Sequence, residues 1–545
     1  MRFKFTRVAV NIAVQRESNK TMIDELGNLA QAGRRALAQQ DWATVDFCAR
    51  GILSRQAAHP EGLFLRGLVE KAARRPRKAI EAFEEALDVD AARYDVAIEL
   101  ASLYSMSRRN GEAAALIDKY SEALTNSPKY LDMAGTTYTE IGLPDRAWPL
   151  YQRACELQPE AAILQGNMAS CAVYVGEIEI AEKAYRKLLE SNPNHQRNHY
   201  ALSRLKRAKD KSHIKEMERV LQDTRLPPER NVFIHYALGK EYEDLGIWDK
   251  SFQHYKAGGD AVTKVANYDI QSDIAIIDKV IDRCNEAWVH DSHEEVVGDP
   301  HPLFVVGLPR TGTTLVERIL SSHSSVSSVG ETEFVQMMLR QESGIESVEK
   351  MTPEMIEAVV KKDIAVVRDG YMDQIRYRLG DESIFIDKLP FNVLYLGFIA
   401  KAWPDKPVIL MKRNPMDACF SMYKQVFTWA YKYSYSLDTL AAYYVAYDRL
   451  CRHWRSVLGD RLVEVQYEVL VAEQESETRR ILERLELPFE EACLNFESNK
   501  TPTTTASSVQ VREKAHTRSV DKWREFEEWL APLREKLESA GIEIG

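Results

Sequence analysis

The first half of the chain repeats itself. Ala79, Ala113, Ala147 and Ala181 stand 34 residues apart, and four residues after each come Phe83, Ile117, Tyr151 and Tyr185. Three further on are Ala86, Tyr120, Ala154 and Leu188, while Pro159 and Pro193 close two of the units. Gly67 and Gly135 precede their alanines by twelve residues. A period of this length is one helical hairpin per unit, and such a hairpin buries its apolar face only by stacking on its neighbours. The small residues let the two helices approach, and the aromatic fills the groove between them. A less regular unit spans Asp41 to Pro60. Another lies at 242–259 (YEDLGIWDKSFQHYKAGG), beyond the breaker at 226–228, LPP. The spacing predicts about six or seven units of a curved, all-α solenoid.

The pattern then changes. Residues 260–300, with NYDIQSDIAIIDKVIDRCNEAW, read as a joining helix followed by a loop at VVGDPHP. Residues 302–318, PLFVVGLPRTGTTLVER, open with a buried-strand run, Leu303 to Val306. Gly307 and Gly312 follow, then Thr313, Thr314 and Leu315 at the start of a helical pattern. Strand, glycine loop and helix start form a phosphate cradle, because the curled backbone and the helix N-terminus aim N–H groups at one anion. The spacing nearly matches G-x-x-x-x-G-K-[ST], with Thr313 in the lysine position and Arg310 as a cation earlier in the loop. That substitution argues against ATP hydrolysis and for a 5′-phosphate joined to something other than a polyphosphate. Apolar runs at 384–386, 408–411 and 462–466 alternate with helical stretches, as in a parallel α/β sheet with ligands at the strand carboxyl ends.

Length and charge narrow the field. At 545 residues the chain holds two to four domains on a length prior. A net charge of −10 disfavours a general nucleic-acid binder. Seven scattered cysteines without a C-x-x-C suit neither a disulfide framework nor a zinc site, and point to a reducing compartment. The first twenty residues are basic and mildly apolar, broken by Asn11, and do not read as a signal peptide. With no apolar run of about 18 residues to span a membrane, the cytoplasm is the expected location.

Two resemblances carry these readings further. The A-x-x-x-F units with a closing proline resemble the tetratricopeptide repeat, whose usual work is to bind a peptide or partner protein; a scaffold or homodimer arm is the alternative. FVVGLPRTGTTLVERIL resembles the 5′-phosphosulfate loop of sulfotransferases, and SSHSSVSSVGETEF resembles the tyrosylprotein-sulfotransferase branch and its bacterial relatives. The likeness covers roughly residues 300–530. It implies a multidomain chain: a tetratricopeptide solenoid (20–262), a connecting helix and linker (263–299), and a P-loop-like α/β sulfotransferase domain with a parallel sheet (300–545).

The same likeness implies a reaction and its residues. A sulfuryl group would pass from 3′-phosphoadenosine 5′-phosphosulfate to an acceptor hydroxyl, a peptide or protein tyrosine brought by the repeats, with no metal. Glu331 is the implied general base, with Glu333 the competing carboxylate. Lys388, in DKLPF, and Arg310 are the implied catalytic cations. Pro309, Arg310, Thr311, Gly312, Thr313 and Thr314 would cradle the 5′-phosphosulfate. Arg413 and Ser421, eight apart in RNPMDACFS, would grip the 3′-phosphate. Related enzymes often carry a further cation one turn past that serine; here the position is Gln425, with Lys424 beside it. Tyr467 would pack near the donor, and a hydroxyl-rich loop from 503 would bring Ser507, Gln510 and Lys522 or Arg512 over it, with Trp523 in the core. The rival readings are a P-loop nucleotide kinase or NTPase, and a protein-binding scaffold with an inactive domain.

Overall fold

The computed structural model describes residues 22–222, 227–291, 298, 300–347, 351–427, 430–505 and 507–545. The N-terminal stretch 1–20, Leu226 of the breaker, and Val296, Val297 and Asp299 of the loop before the first strand lie outside the described residues. The chain forms two compact units, Met1–Pro159 and Glu160–Gly545. The division therefore falls inside the repeat array, whose last helices belong to the second unit.

Within the first unit, helices pair in sequence order: Pro60–Ala72 on Pro76–Val89, Tyr94–Met106 on Asn110–Tyr120, and Pro128–Glu140 on Pro144–Leu157. Four of these helices begin with proline in their first turn, where its missing N–H costs nothing. The close approach is literal at Gly67: a methyl group there would lie 2.3 Å from the Phe83 ring. Sixteen residues separate that pair, and the same spacing brings Gly135 against Tyr151 and Gly239 against Tyr255.

The second unit continues with Ala162–Val175 on Ile178–Ser191. Gln196–Leu205 then packs on Val232–Asp244, which packs on Trp248–Val265. An inserted helix, Ser212–Gln222, separates the members of the first of these pairs in sequence and breaks the period. After Ile270–Arg283, capped by Asp269, the chain enters a five-stranded parallel sheet. Its strands are β1 (His301–Gly307), β2 (Val326–Gly330), β3 (Ile384–Lys388), β4 (Val408–Lys412) and β5 (Leu462–Gln466), in the order β2-β3-β1-β4-β5. β1 sits between β3 and β4, so chain connections leave its two sides in opposite directions and open a crevice at the carboxyl ends. β2 is an edge strand whose serines are half-buried, which is why its sequence carries no apolar run. Among the described residues no helix is long and apolar enough to cross a membrane. All seven cysteines are buried free thiols.

Aromatic side chains fuse the last repeat helices to the sheet domain. Phe252 stacks on Tyr423 and Trp529, Trp248 meets Phe526 edge-on, and Tyr236 meets Tyr435. Gly259 is a point of close approach, since a methyl group there would stand 2.5 Å from the Tyr435 carbonyl oxygen. Gly259→Ala gains about 1 kcal/mol of helix propensity but must push a backbone aside, at a cost of about 1–3 kcal/mol. A net loss of stability in urea unfolding is expected, and a stabilised variant would contradict this packing.

Candidate functional site

The glycine loop runs from the end of β1 to the helix Thr313–Leu320. Gly307 (φ +150°) and Gly312 (φ +99°) both take left-handed backbone, and side chains would not fit at either. A methyl group at Gly307 would lie 2.8 Å from the Met411 carbonyl oxygen, and one at Gly312 would lie 2.6 Å from the Tyr467 ring. Arg310 itself has φ +69°, which costs a non-glycine residue energy unless neighbours hold it. Thr311 ties the loop by donating to the Leu308 carbonyl at 2.7 Å. Pro309, Thr311, Thr313 and Thr314 are buried. The first N–H groups of the helix therefore start from a loop braced on β4 and on Tyr467.

Arg413, just past the end of β4, does the bracing. One Nη1 donates to the Arg310 carbonyl at 2.9 Å and to Ser421 Oγ at 3.2 Å, and Nη2 donates to the Ser519 carbonyl at 2.5 Å. Its guanidinium lies 4.6 Å from the Tyr467 ring centroid. It is 9% exposed, and its Nε has no hydrogen-bond partner. A buried guanidinium N–H without a partner is a donor awaiting an acceptor, and it suits an anion. Ser421 sits two turns into Pro415–Tyr423, a helix capped by Asn414 and begun by Pro415.

The second corner is at the ends of β2 and β3. Lys388 is wholly buried, with Glu331 at 2.5 Å and Glu317 at 3.6 Å. Burial alone would lower its pKa, but these two carboxylates more than offset that and hold it raised. Glu331, the implied base, lies in the turn after β2 and is exposed, with its side chain at 38%. Glu333, also exposed, precedes the helix Phe334–Ser343. Asp387, beside Lys388, fixes that turn: it accepts from Thr332 Oγ1, and from the Tyr371 hydroxyl at 2.9 Å.

A loop from the C-terminal part of the chain covers the glycine loop. Arg310 donates to Ser507 Oγ, and to Gln510 Oε1 at 2.6 Å. The hydroxyls of Thr314 and Thr505 meet at 3.3 Å. Arg318, buried in the helix Thr313–Leu320, holds the loop's approach through the carbonyls of Asn499 and Thr501 and the Thr503 hydroxyl. Burial pushes its pKa down to about 10. Lys522 is set instead over the Trp248 indole, 4.1 Å from the ring centroid. Arg512 bonds to the Tyr174 carbonyl at 2.9 Å, which anchors the covering loop on a repeat helix. Trp523 is buried, as a core residue should be.

The sequence singled out Arg310, Arg413, Ser421, Tyr467, Ser507 and Gln510, which the fold brings together across 200 positions. It brings Glu331 and Lys388 together at the other corner. It did not single out Glu317, Asp387 or Arg318. Glu317 and Arg318 had one signal in the sequence, two adjacent charges in the helical stretch directly after the glycine loop, and the structure buries both.

Asp387 gives a pH prediction. Burial raises its carboxyl from the usual value to about 7. An acid with a raised folded pKa binds its proton more tightly when folded, so stability from this group falls as pH climbs from about 4 to about 7 and is level above that. Chemical unfolding of wild type and Asp387→Asn across that range should show the wild type losing ground to the variant. A constant difference between the two would contradict this assignment.

Residues 302–491 match the family model described as the Sulfotransferase family. The chain is 29% identical over 422 residues to an uncharacterized protein of Aquifex aeolicus, across 75% of this chain and 55% of that one. It is 26% identical over 238 residues to Protein-tyrosine sulfotransferase 1 of Danio rerio, across 41% of this chain and 65% of that one. A solved sulfotransferase domain, from the Synechococcus PCC 7002 olefin synthase, aligns at 20% identity over 46% of this chain and 99% of its own, with a TM-score of 0.33. The chain spans about half to two thirds of the length of these curated relatives. The matched segment contains the glycine loop, Glu331, Lys388, Arg413 and Ser421, so residues 302–491 are similar to the Sulfotransferase family, and helical repeats precede them.

Proposed function

We propose that the chain transfers a sulfuryl group from 3′-phosphoadenosine 5′-phosphosulfate to an acceptor hydroxyl. The observation that carries this reading is the pair of anion corners on adjacent strand ends, the glycine loop after β1 and Arg413 with Ser421 after β4, linked by the bond from Arg413 to the Arg310 carbonyl. A donor with phosphate at both its 3′ and 5′ positions matches two such corners, and the unpartnered Nε of Arg413 supplies a waiting donor group at one of them. A nucleoside triphosphate would need a lysine where Thr313 stands. No metal ion is called for in this reading.

In the reaction, the acceptor oxygen forms a bond to sulfur while the bond from sulfur to the 5′-phosphate oxygen breaks, leaving adenosine 3′,5′-bisphosphate. Lys388 and the N–H groups of the glycine loop stabilise the negative charge that grows on the leaving oxygen. Glu331 takes the acceptor's proton. Its ion pair with Lys388 keeps both groups at the same end of the sheet, and proton uptake by Glu331 would release the lysine toward the leaving group. Pro309, Thr311, Thr313 and Thr314 shape the cradle, Tyr467 supports it from below, and Ser507 with Gln510 closes it through Arg310. Lys522, over Trp248, would help hold the covering segment. The acceptor we favour is a tyrosine of a peptide or protein bound by the repeat array, within domains bounded near 262 and 300.

Adenosine 3′,5′-bisphosphate at a hundredfold over its dissociation constant should stabilise the protein by about 2.7 kcal/mol. ATP with magnesium should not, and Arg413→Ala should abolish the effect. Stabilisation by ATP with magnesium alone would contradict the reading. Glu331→Gln should cut transfer to tyrosine peptides by roughly a hundredfold to ten-thousandfold while leaving bisphosphate binding intact. Transfer that survives in this variant would remove Glu331 as the base. Labelling of a carbohydrate or a small hydroxyl compound, with none on peptides, would overturn the choice of acceptor.

A further inference from the structure

We propose that the inserted helix Ser212–Gln222 is clipped to the repeat helices by a divalent transition-metal ion of the zinc class, held by His199, His213 and Glu216. Such a site belongs to the repeat region and stands whether or not the donor reading does.

The inserted helix has little apolar surface to hold it. Of its 11 residues only Ile214, Met217 and Val220 are buried, against Ile234, Ala237, Leu238 and Tyr242. A helix this short is marginal without further contacts. His213 and Glu216 stand one turn apart beside that apolar stripe. His199, 1% exposed, comes from the neighbouring helix Gln196–Leu205. One ligand atom from each of the three lies within 4.8 Å of the other two. Hydrogen bonds on the far sides of both rings fix which nitrogens are bare. His199 Nε2 donates to the Pro193 carbonyl at 2.7 Å, and a carbonyl can only accept. His213 Nδ1 donates to Glu241 Oε1 at 2.5 Å; this carboxylate is 4% exposed, and its other oxygen has no hydrogen-bond partner. In neutral rings the lone pairs therefore sit on His199 Nδ1 and His213 Nε2, which face each other at 2.9 Å. Two lone pairs so placed repel unless a positive charge lies between them. A carbonyl and a carboxylate behind two such histidines are also the outer partners by which metal sites fix the tautomer and raise ligand basicity.

Glu216 decides between a shared proton and a metal ion. A proton needs only the two nitrogens, whereas a third, anionic group beside them is what a divalent ion takes. With Glu216 and Glu241 both ionised beside two neutral rings, a divalent ion balances the charge. Two imidazole nitrogens and one carboxylate favour zinc or its first-row neighbours over magnesium and calcium, which take oxygen ligands. A fourth position is left to water. Nitrogens about 2.0–2.1 Å from a tetrahedral ion stand roughly 3.3 Å apart, so the rings part by a few tenths of an ångström to seat it. An ion there joins Gln196–Leu205 to Ser212–Gln222 directly, and to Val232–Asp244 through Glu241.

The test titrates the full chain, first stripped with a chelator, with Zn2+ by calorimetry and with Co2+ by visible absorption. Wild type should take up one equivalent of either ion at this site, and its melting temperature should rise with Zn2+. Glu241→Gln keeps all three ligands and should weaken uptake by roughly tenfold to a hundredfold. Glu216→Gln, which removes an exposed ligand, should weaken it by at least as much while leaving the metal-free melting temperature unchanged. His213→Gln should abolish it. No stoichiometric uptake by wild type, the result if the two rings share a proton, would overturn the proposal. So would uptake that Glu216→Gln or His213→Gln leaves intact. Either outcome leaves adenosine 3′,5′-bisphosphate binding, and the donor reading it tests, untouched.

Discussion

Arg413 is the contact on which the site depends. A buried guanidinium can hold several groups at once because its donors diverge in a rigid plane. Here one side of the plane holds the left-handed Arg310 and the helix that begins at Pro415, and the other holds the Ser519 carbonyl near the chain's end. Asp417 completes the arrangement from the same helix by accepting the N–H groups of Asp521 and Trp523. Strand end, glycine loop and C-terminal segment are thus gathered around one charge. The Nε of that charge is buried with no hydrogen-bond partner.

The other end of the site is built by balancing charge. An ammonium with no exposed surface costs several kcal/mol unless carboxylates accompany it, and Lys388 has Glu331 and Glu317. Glu317 is itself held by the Ser328 hydroxyl of β2 at 2.6 Å. The lysine is therefore fixed by the helix after the glycine loop on one side and by the turn after β2 on the other. A proton arriving at Glu331 removes one of its two anions. In the proposed chemistry that is the moment when a negative charge grows on the leaving oxygen, so the acid–base step and the electrostatic step are coupled through one ion pair.

The parts legible in the sequence were those fixed by short-range spacing. The 34-residue period gave the hairpins, and continuous apolar runs gave β1, β3 and β4, since strands covered on both faces have no polar alternation, while β5 showed as the Leu462–Gln466 run at the other edge. β2 escaped because an edge strand can be made of serine. The inserted helix Ser212–Gln222 escaped because it interrupts the period without replacing it. Within the site, the glycine loop and the RNPMDACFS segment announced themselves by local pattern. The exposure of Glu331, the place of Lys522 over Trp248, and the hydrogen bond from Arg204 to Gln425 did not, because each depends on which distant helix packs beside it. The extension of the second compact unit back to Glu160 is the same effect on a larger scale: aromatic packing, with Gly259 against the Tyr435 backbone, outweighs the repeat period.

The central claim is that one nucleotide with phosphates at its 3′ and 5′ positions is held jointly by the glycine loop, the end of β4 and the covering loop. Hydrogen–deuterium exchange with and without adenosine 3′,5′-bisphosphate tests this directly. The account expects slowed exchange in three separate segments: 307–316, 413–425 and 503–519. Slowed exchange confined to other parts of the chain, or none in the glycine loop and beyond β4, would contradict it.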